Sequence, residues 1–193
     1  SLPAVGAEVA AAVPYGPLFD RLSAGGLPVF PVSPVRARRR GWGLFTTTAK
    51  LLRAPSTVSQ IVRAVKPDII HANSLPAFLA ARHAISNIPI IWHVRDLRLP
   101  VLIARDASKK ASRIIAASSA IDEYIVEILS PRILGRIRVV HNGIDPARFV
   151  NGDKARARQN FGLPPEGPVI GMIAHLVPWK RQDAFIQAAA EIH

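Results

Sequence analysis

The chain has 193 residues, 49% of them hydrophobic and 20% charged, which is globular rather than disordered composition and enough for one good-sized domain or one and a fraction. It contains no cysteine, which excludes a disulfide framework, a thiolate metal site and a thiol nucleophile, and fits a reducing cytoplasm; no apolar run approaches membrane-spanning length and the N-terminal stretch lacks a signal pattern. A formal charge of +12 favours anionic partners, but with aromatics at 6% the stacking platforms of single-stranded nucleic-acid binders are missing, and nucleic acid is not expected as a partner.

In chain order, residues 7–13 read as a short buried strand ended by Pro14. Leu18, Phe19 and Leu22 belong to a short helix that stops at Gly25-Gly26, a helix C-terminal signal. Residues 28–32 form a second strand, followed by a glycine-punctuated basic loop over 36–43 that holds Arg36, Arg38, Arg39, Arg40 and Trp42. The spacing of Leu51, Leu52, Val58, Ile61, Val62 and Val65 predicts helix over 44–66, kinked or divided by Pro55. From there the pattern is regular: strand 68–72, helix 76–86 capped by Ser74, strand 89–94, helix 101–111, strand 113–117, helix 120–129 capped by Ser118-Ser119, strand 138–140. Strands alternating with helices of this length predict βαβ units and an α/β fold with a parallel sheet, covered on both faces.

After the strand at 138–140 come His141, Asn142 and Gly143, read as a turn because Asn and Gly tolerate positive φ. A charged helix follows, then a fresh strand beginning near Pro168, and then a helix over 178–192 with Phe185, Ala188, Ala189 and Ile192 on its inner side. That order predicts a hinge between two α/β domains, and a site in the cleft between them.

Ligands of open parallel sheets bind beyond the carboxyl ends of the strands. That rule selects His71, Asn73, His93, Arg95, Asp96, Ser118, Ser119, His141 and Asn142. His93 stands out because it closes the apolar run Ile90-Ile91-Trp92; it either faces a ligand or bonds a backbone carbonyl. Arg95 and Asp96 are expected to pair with each other, His71 to be a satisfied strand-end histidine, and Asp122-Glu123 to be a solvated helix face. Lys180 and Arg181 are an oddity: two cations in the first turn of the predicted helix over 178–192, where the helix dipole disfavours them. A bound diphosphate would reverse that sign. Other chemistries fail on inspection. There is no Gly-x-Ser-x-Gly elbow, no His-Glu-x-x-His metal site and no Gly-Lys-Ser/Thr phosphate loop. Gly41-Trp42-Gly43 lacks the third glycine and the preceding strand of a dinucleotide fingerprint.

The run Val139-Val140-His141-Asn142-Gly143-Ile144-Asp145 through Phe149, then residues 168–192, resembles the retaining nucleotide-sugar glycosyltransferases of the GT-B fold, family four. An Asn-Gly-hydrophobic-Asp…Phe linker, a strand, a Gly-Arg-Leu-type loop and a Lys at a helix start follow in the same order, and PDIIHANS and IIWHVRD upstream match too. The resemblance covers most of the chain.

The resemblance implies an acceptor-side Rossmann-like domain over 1–150, lacking its first strand–helix unit, a linker over 151–166, and the start of a donor-binding domain over 167–193. It implies sugar transfer with retention from a nucleotide-diphosphate sugar to a glycan or lipid-linked acceptor, in glycan, glycolipid or cell-envelope polysaccharide synthesis. Neither a cofactor nor a metal is implied, since GT-B enzymes neutralise the leaving diphosphate with side-chain cations and helix N-termini. The paired glutamates that hold the donor in this family fall beyond residue 193, so the chain alone is expected to be inactive. His93 is expected to contact the donor sugar, and Lys180 the diphosphate, helped by His175, Arg181 and Asn142. Here Ala174-His175 stands where Gly-Arg is usual, and Arg181 where Gly is common, which would make the phosphate grip weaker or pH-dependent. The arginines at 36–40 beside Trp42 are expected on the acceptor or membrane side, touching an anionic inner leaflet from the cytoplasm. Two alternatives use the same fold: a non-catalytic binding module and a sugar-nucleotide epimerase.

Overall fold

The computed structural model describes residues 6–33, 57–84, 87–150 and 152–192. The chain divides into two compact units, Ser1–Gly143 and Ile144–His193.

In the first unit, β1 (Ala11–Val13) and β2 (Val29–Pro31) pair in parallel, joined by α1 (Pro17–Ala24). The strand expected over 7–13 contracts to its last three residues because β2 offers only three partners. As the glycine pair suggested, α1 ends at Gly25, and Gly26 takes φ 76°, a left-handed conformation open to glycine at little cost. Of the helix expected over 44–66, residues 57–65 are helical (α2). Residues 44–56 and the basic loop over 36–43, with Arg36, Arg38, Arg39, Arg40 and Trp42, lie outside the described residues.

The larger sheet holds four parallel strands in the order β3 (Ile70–Ala72), β4 (Ile90–Val94), β5 (Arg113–Ala116) and β6 (Ile137–Val139). The crossovers are α3 (Leu75–Ala84), α4 (Val101–Ser108) and α5 (Ser119–Ile128). The last strand starts one residue before the expected position and ends one before it, because Ile137, not Val140, pairs with β5 at Ile114.

Side chains alternate across a strand, so one face of this sheet carries Ile90, Trp92, Val94, Ile114, Ala116 and Ile137, all buried. Phe78 of α3 packs on Trp92 with ring centroids 5.3 Å apart, and Ile121, Ile125 and Ile128 of α5 complete the core. The other face carries His71, Ile91, His93, Ile115 and Arg138, half-buried to exposed. Both expected serine caps form. Ser74 Oγ accepts from the Ala77 amide, and Ser118 Oγ from the Ile121 amide at 3.3 Å. Ser118→Ala is expected to lower the unfolding free energy by about 1 kcal/mol. The readout is the thermal midpoint, and an unchanged midpoint would mean the cap contributes nothing.

The second unit differs more from expectation. A short 3₁₀ turn (Pro146–Arg148) precedes α6 (Lys154–Asn160), which Asp153 caps through its side chain. Arg158 is buried, and its guanidinium donates to the carbonyls of Pro164, Glu166 and Gly167, at 2.5, 3.0 and 2.6 Å. The strand expected from Pro168 is not formed among the described residues. A strand exists through its ladder, and no strand of the described residues pairs with this segment. Val169, Ile170, Met172, Ile173 and Leu176 are correspondingly exposed. The helix expected over 178–192 is divided: a 3₁₀ turn (Pro178–Lys180), then Arg181 in the left-handed region at φ 53°, then α7 (Gln182–Ile192). Among the described residues no helix is long and apolar enough to cross a membrane.

Candidate functional site

Three strand ends of the first unit, those of β3, β4 and β6, bring a polar cluster together. His71 and His93 come from neighbouring strands in register, His71 opposite Ile91, so the period of two puts both imidazoles on the less buried face. The rings stack at 5.3 Å with 16° between planes, and His71 Nε2 lies 3.2 Å from His93 Nδ1, a hydrogen bond whose donor follows the tautomer. His71 is therefore satisfied, as expected, and its partner is the side chain of His93. His93 Nε2 is shielded from solvent and has no hydrogen-bond partner among the described residues. An unpartnered shielded nitrogen is costly unless something meets it.

Just beyond β4, Arg95 reaches sideways to the ends of β3 and β6. Its Nη1 donates to Asn73 Oδ1 at 3.4 Å and its Nη2 to Asn142 Oδ1 at 3.0 Å. Among the described residues no ion pair joins it to Asp96, so the expected local pair does not form. From the sequence, Asn142 is expected to serve the turn first. Neither it nor Gly143 adopts positive φ, and its side chain holds Arg95 instead.

Both histidines sit below the ordinary value of 6.5. Burial lowers His71, with the Arg95 charge as the second cause; burial lowers His93, followed by His71 and then Arg95. The folded state thus prefers neutral rings. Their contribution to stability is fully present above about 6.5 and is lost as pH falls through the lowered folded values. Arg95→Gln removes one lowering cause from each ring. Both imidazoles are expected to titrate higher in that variant while staying below the ordinary value, since burial remains. Ring-proton NMR titration checks this, and unmoved curves would separate Arg95 from the pair.

In the second unit, His175, Lys180 and Arg181 lie close in sequence but play unlike parts. Arg181 makes a two-point ion pair with Asp183, Nε to Oδ1 at 3.0 Å and Nη2 to Oδ2 at 3.1 Å, which raises the arginine and lowers the carboxyl. The expected pair of disfavoured cations in a helix first turn is not there. The first turn of α7 carries Asp183, and Arg181 precedes it. The left-handed φ of Arg181 gives a physical reason for the glycine common at this position in the resembled family. Among the described residues the Lys180 ammonium has no hydrogen-bond or ion-pair partner. The His175 carbonyl accepts from Gln182 Nε2 at 2.6 Å, tying the loop to α7. An open groove of about 550 Å³ lies against Leu176, Val177, Pro178, Arg181, Gln182 and Asp183, and neither Lys180 nor His175 lines it.

The structure thus gathers His93 and Asn142 of the expected site in one cluster, adds His71, Asn73 and Arg95 to it, and places His175, Lys180 and Arg181 together in the other unit. The strand-end rule selects all five residues of the cluster, and the pairing of the two histidines also has a signal. His71 and His93 each stand in the later part of a predicted strand, and parallel neighbours of equal phase share a face.

Comparison with known proteins gives the frame for these residues. The chain aligns with D-inositol 3-phosphate glycosyltransferase 2 of Catenulispora acidiphila at 41% identity over 58 residues, 30% of this chain and 14% of that protein. The D-inositol 3-phosphate glycosyltransferase of Nocardia farcinica aligns at 32% over 98 residues, 48% of this chain and 22% of that protein. Among solved structures, Anabaena HepE in complex with UDP and glucose superposes with a TM-score of 0.70 at 22% identity, covering 94% of this chain and 50% of that one. A glycosyltransferase from Rickettsia africae gives 0.71 at 17%, covering 99% and 51%. The chain therefore spans about half the length of these structures, and they share its GT-B type α/β fold. The family model described as Glycosyltransferase Family 4 matches residues 2–148, and the chain belongs to that family.

Proposed function

We propose that the protein carrying this chain transfers a sugar from a nucleotide-diphosphate donor to an acceptor, with retention of configuration. Family membership and the UDP and glucose named for the Anabaena relative support the donor class. The observation that carries the site is the shielded, unpartnered His93 Nε2 at the carboxyl end of β4, beside Arg95 and Asn142. In this reading His93 meets the donor sugar, Lys180 takes the diphosphate, and His175 assists. Residues 1–150 form the acceptor-side domain, 151–166 the linker and 167–193 the start of the donor-binding domain. The acceptor is a glycan or lipid-linked molecule of glycolipid or cell-envelope synthesis. The enzyme works in the cytoplasm, with Arg36, Arg38, Arg39, Arg40 and Trp42 against an anionic leaflet and no cofactor or metal required.

The test is a transfer assay on the full-length protein with a panel of nucleotide sugars and acceptor extracts. Acceptor-dependent release of nucleoside diphosphate is expected, with a product of the donor's anomeric configuration by NMR. Donor turnover to an epimer without acceptor would replace this reading with the epimerase. Binding without any turnover would replace it with the binding module. Co-sedimentation with acidic but not neutral vesicles is the expected result for the membrane contact, at about 1 kcal/mol per near-surface cation. Equal binding to both, or none, removes it.

A further inference from the structure

Arg95 is an exposed guanidinium that no carboxylate neutralises among the described residues. Its two hydrogen-bond partners are amide oxygens, from Asn73 at the end of β3 and Asn142 after β6. An asparagine has one carbonyl oxygen and one NH₂ group. Because Arg95 donates to both oxygens, it turns the carbonyl side of each asparagine toward itself and leaves both NH₂ groups as free donors. The remaining N–H groups of the guanidinium are donors too. Three segments, following three different strands, thus converge to present donors around one standing positive charge. The flanking imidazoles of His71 and His93 add no compensating negative charge.

The standing positive charge of this cluster disfavours a cation, and the charge and the donors together fit an anionic acceptor better than a neutral one. Planar guanidinium matches phosphate and carboxylate oxygens in two-point contacts. We propose that Arg95, bracketed by Asn73 and Asn142, is an oxyanion subsite of the first unit, binding a phosphate or carboxylate group carried by the acceptor. The subsite is distinct in sequence and unit from Lys180, which the functional reading gives to the donor diphosphate. It rests on that reading only for which substrate carries the oxyanion; the binding of an anion at Arg95 stands or falls independently of transfer. The bracket also explains why a long, flexible arginine is held across the strand ends instead of folding back on Asp96. Fixing the guanidinium beforehand lowers the ordering cost on binding.

The experiment uses the 193-residue chain, its Arg95→Gln variant and the surface control Arg132→Gln. Each is titrated with inorganic phosphate at constant ionic strength, following the side-chain amide signals of Asn73 and Asn142 and the ring signals of His71 and His93. Phosphate is expected to move these signals in the parent chain, with affinity at least tenfold weaker in Arg95→Gln and unchanged in Arg132→Gln. No movement, equal affinity in Arg95→Gln, or equal loss in both variants overturns the subsite, the last by reducing it to general attraction to a basic chain. The source of the oxyanion is read on the full-length protein, by adding UDP to the phosphate titration there. Phosphate that stays on Arg95 while UDP binds supports the acceptor as carrier; displacement by UDP overturns that assignment in favour of the donor. Transfer activity is measured separately on the full-length protein, so loss of the functional reading and loss of the subsite give different results.

Discussion

In the full-length protein, His93→Ala is expected to lower kcat/KM by about 30- to 1,000-fold while leaving the fold in place. A preorganised polar contact to the transition state, made where water is excluded, contributes about 2–4 kcal/mol. His93 has the attributes of such a contact: it sits late in β4, its Nδ1 is fixed by His71 at 3.2 Å, and its Nε2 is shielded with no partner among the described residues. The fold should survive because the imidazole lies on the less buried face, whereas Trp92 beside it is fully buried on the other. Trp92→Ala is the contrast, since opening that core costs about 3–5 kcal/mol and would remove activity by unfolding. Wild-type turnover in a folded His93→Ala protein would return the residue to a purely structural part.

Lys180→Ala is expected to weaken nucleoside diphosphate binding to the full-length protein by about 10- to 150-fold, the equivalent of one charged hydrogen bond of about 1.5–3 kcal/mol. The ground for this is not the helix dipole. The dipole of α7 already faces Asp183, and Arg181 is committed to that carboxylate. Lys180 is the nearby cation left without a partner among the described residues. Calorimetry with the parent and the variant at pH 6 and pH 8 decides it. Unchanged affinity in Lys180→Ala takes the residue out of the site, and a parent affinity flat between the two pH values takes the charge of His175 out as well.

How far the sequence could be read depended on how local each signal was. Strand–helix alternation across residues 68–139 was legible because each element declares itself: apolar runs such as Ile90-Ile91-Trp92, helix periods such as Ile121, Ile125 and Ile128, and a serine before α3 and α5. The Arg95 bracket was not legible, because it joins residues 22 and 47 positions away and exists only once β3, β4 and β6 are in register. Sequence adjacency pointed to Asp96 instead. The expected strand after Pro168 failed for the opposite reason. Its residues have strand character, but pairing is a property of two segments, and character alone does not supply the second. The sequence around Arg181 predicts helix because its neighbours do; a positive φ on a non-glycine residue leaves no mark in the sequence.

The Arg158 clasp has a consequence for how the loop after α6 responds to its surroundings. A cation held by carboxylates loosens in high salt and in acid, because the partner is screened and then protonated. Arg158 is held by three main-chain carbonyls, which neither titrate nor attract counter-ions strongly. Amide exchange across residues 158–167 should therefore be nearly the same at low and high ionic strength and from neutral pH down to about 4, once corrected for intrinsic rates, while the exposed Arg181–Asp183 pair weakens as salt rises. Lysine cannot replace this arginine, since a single ammonium cannot span three acceptors fanned around a plane. The loop is insulated from the solution's chemistry by geometry, and only a change of residue, not a change of medium, should undo it.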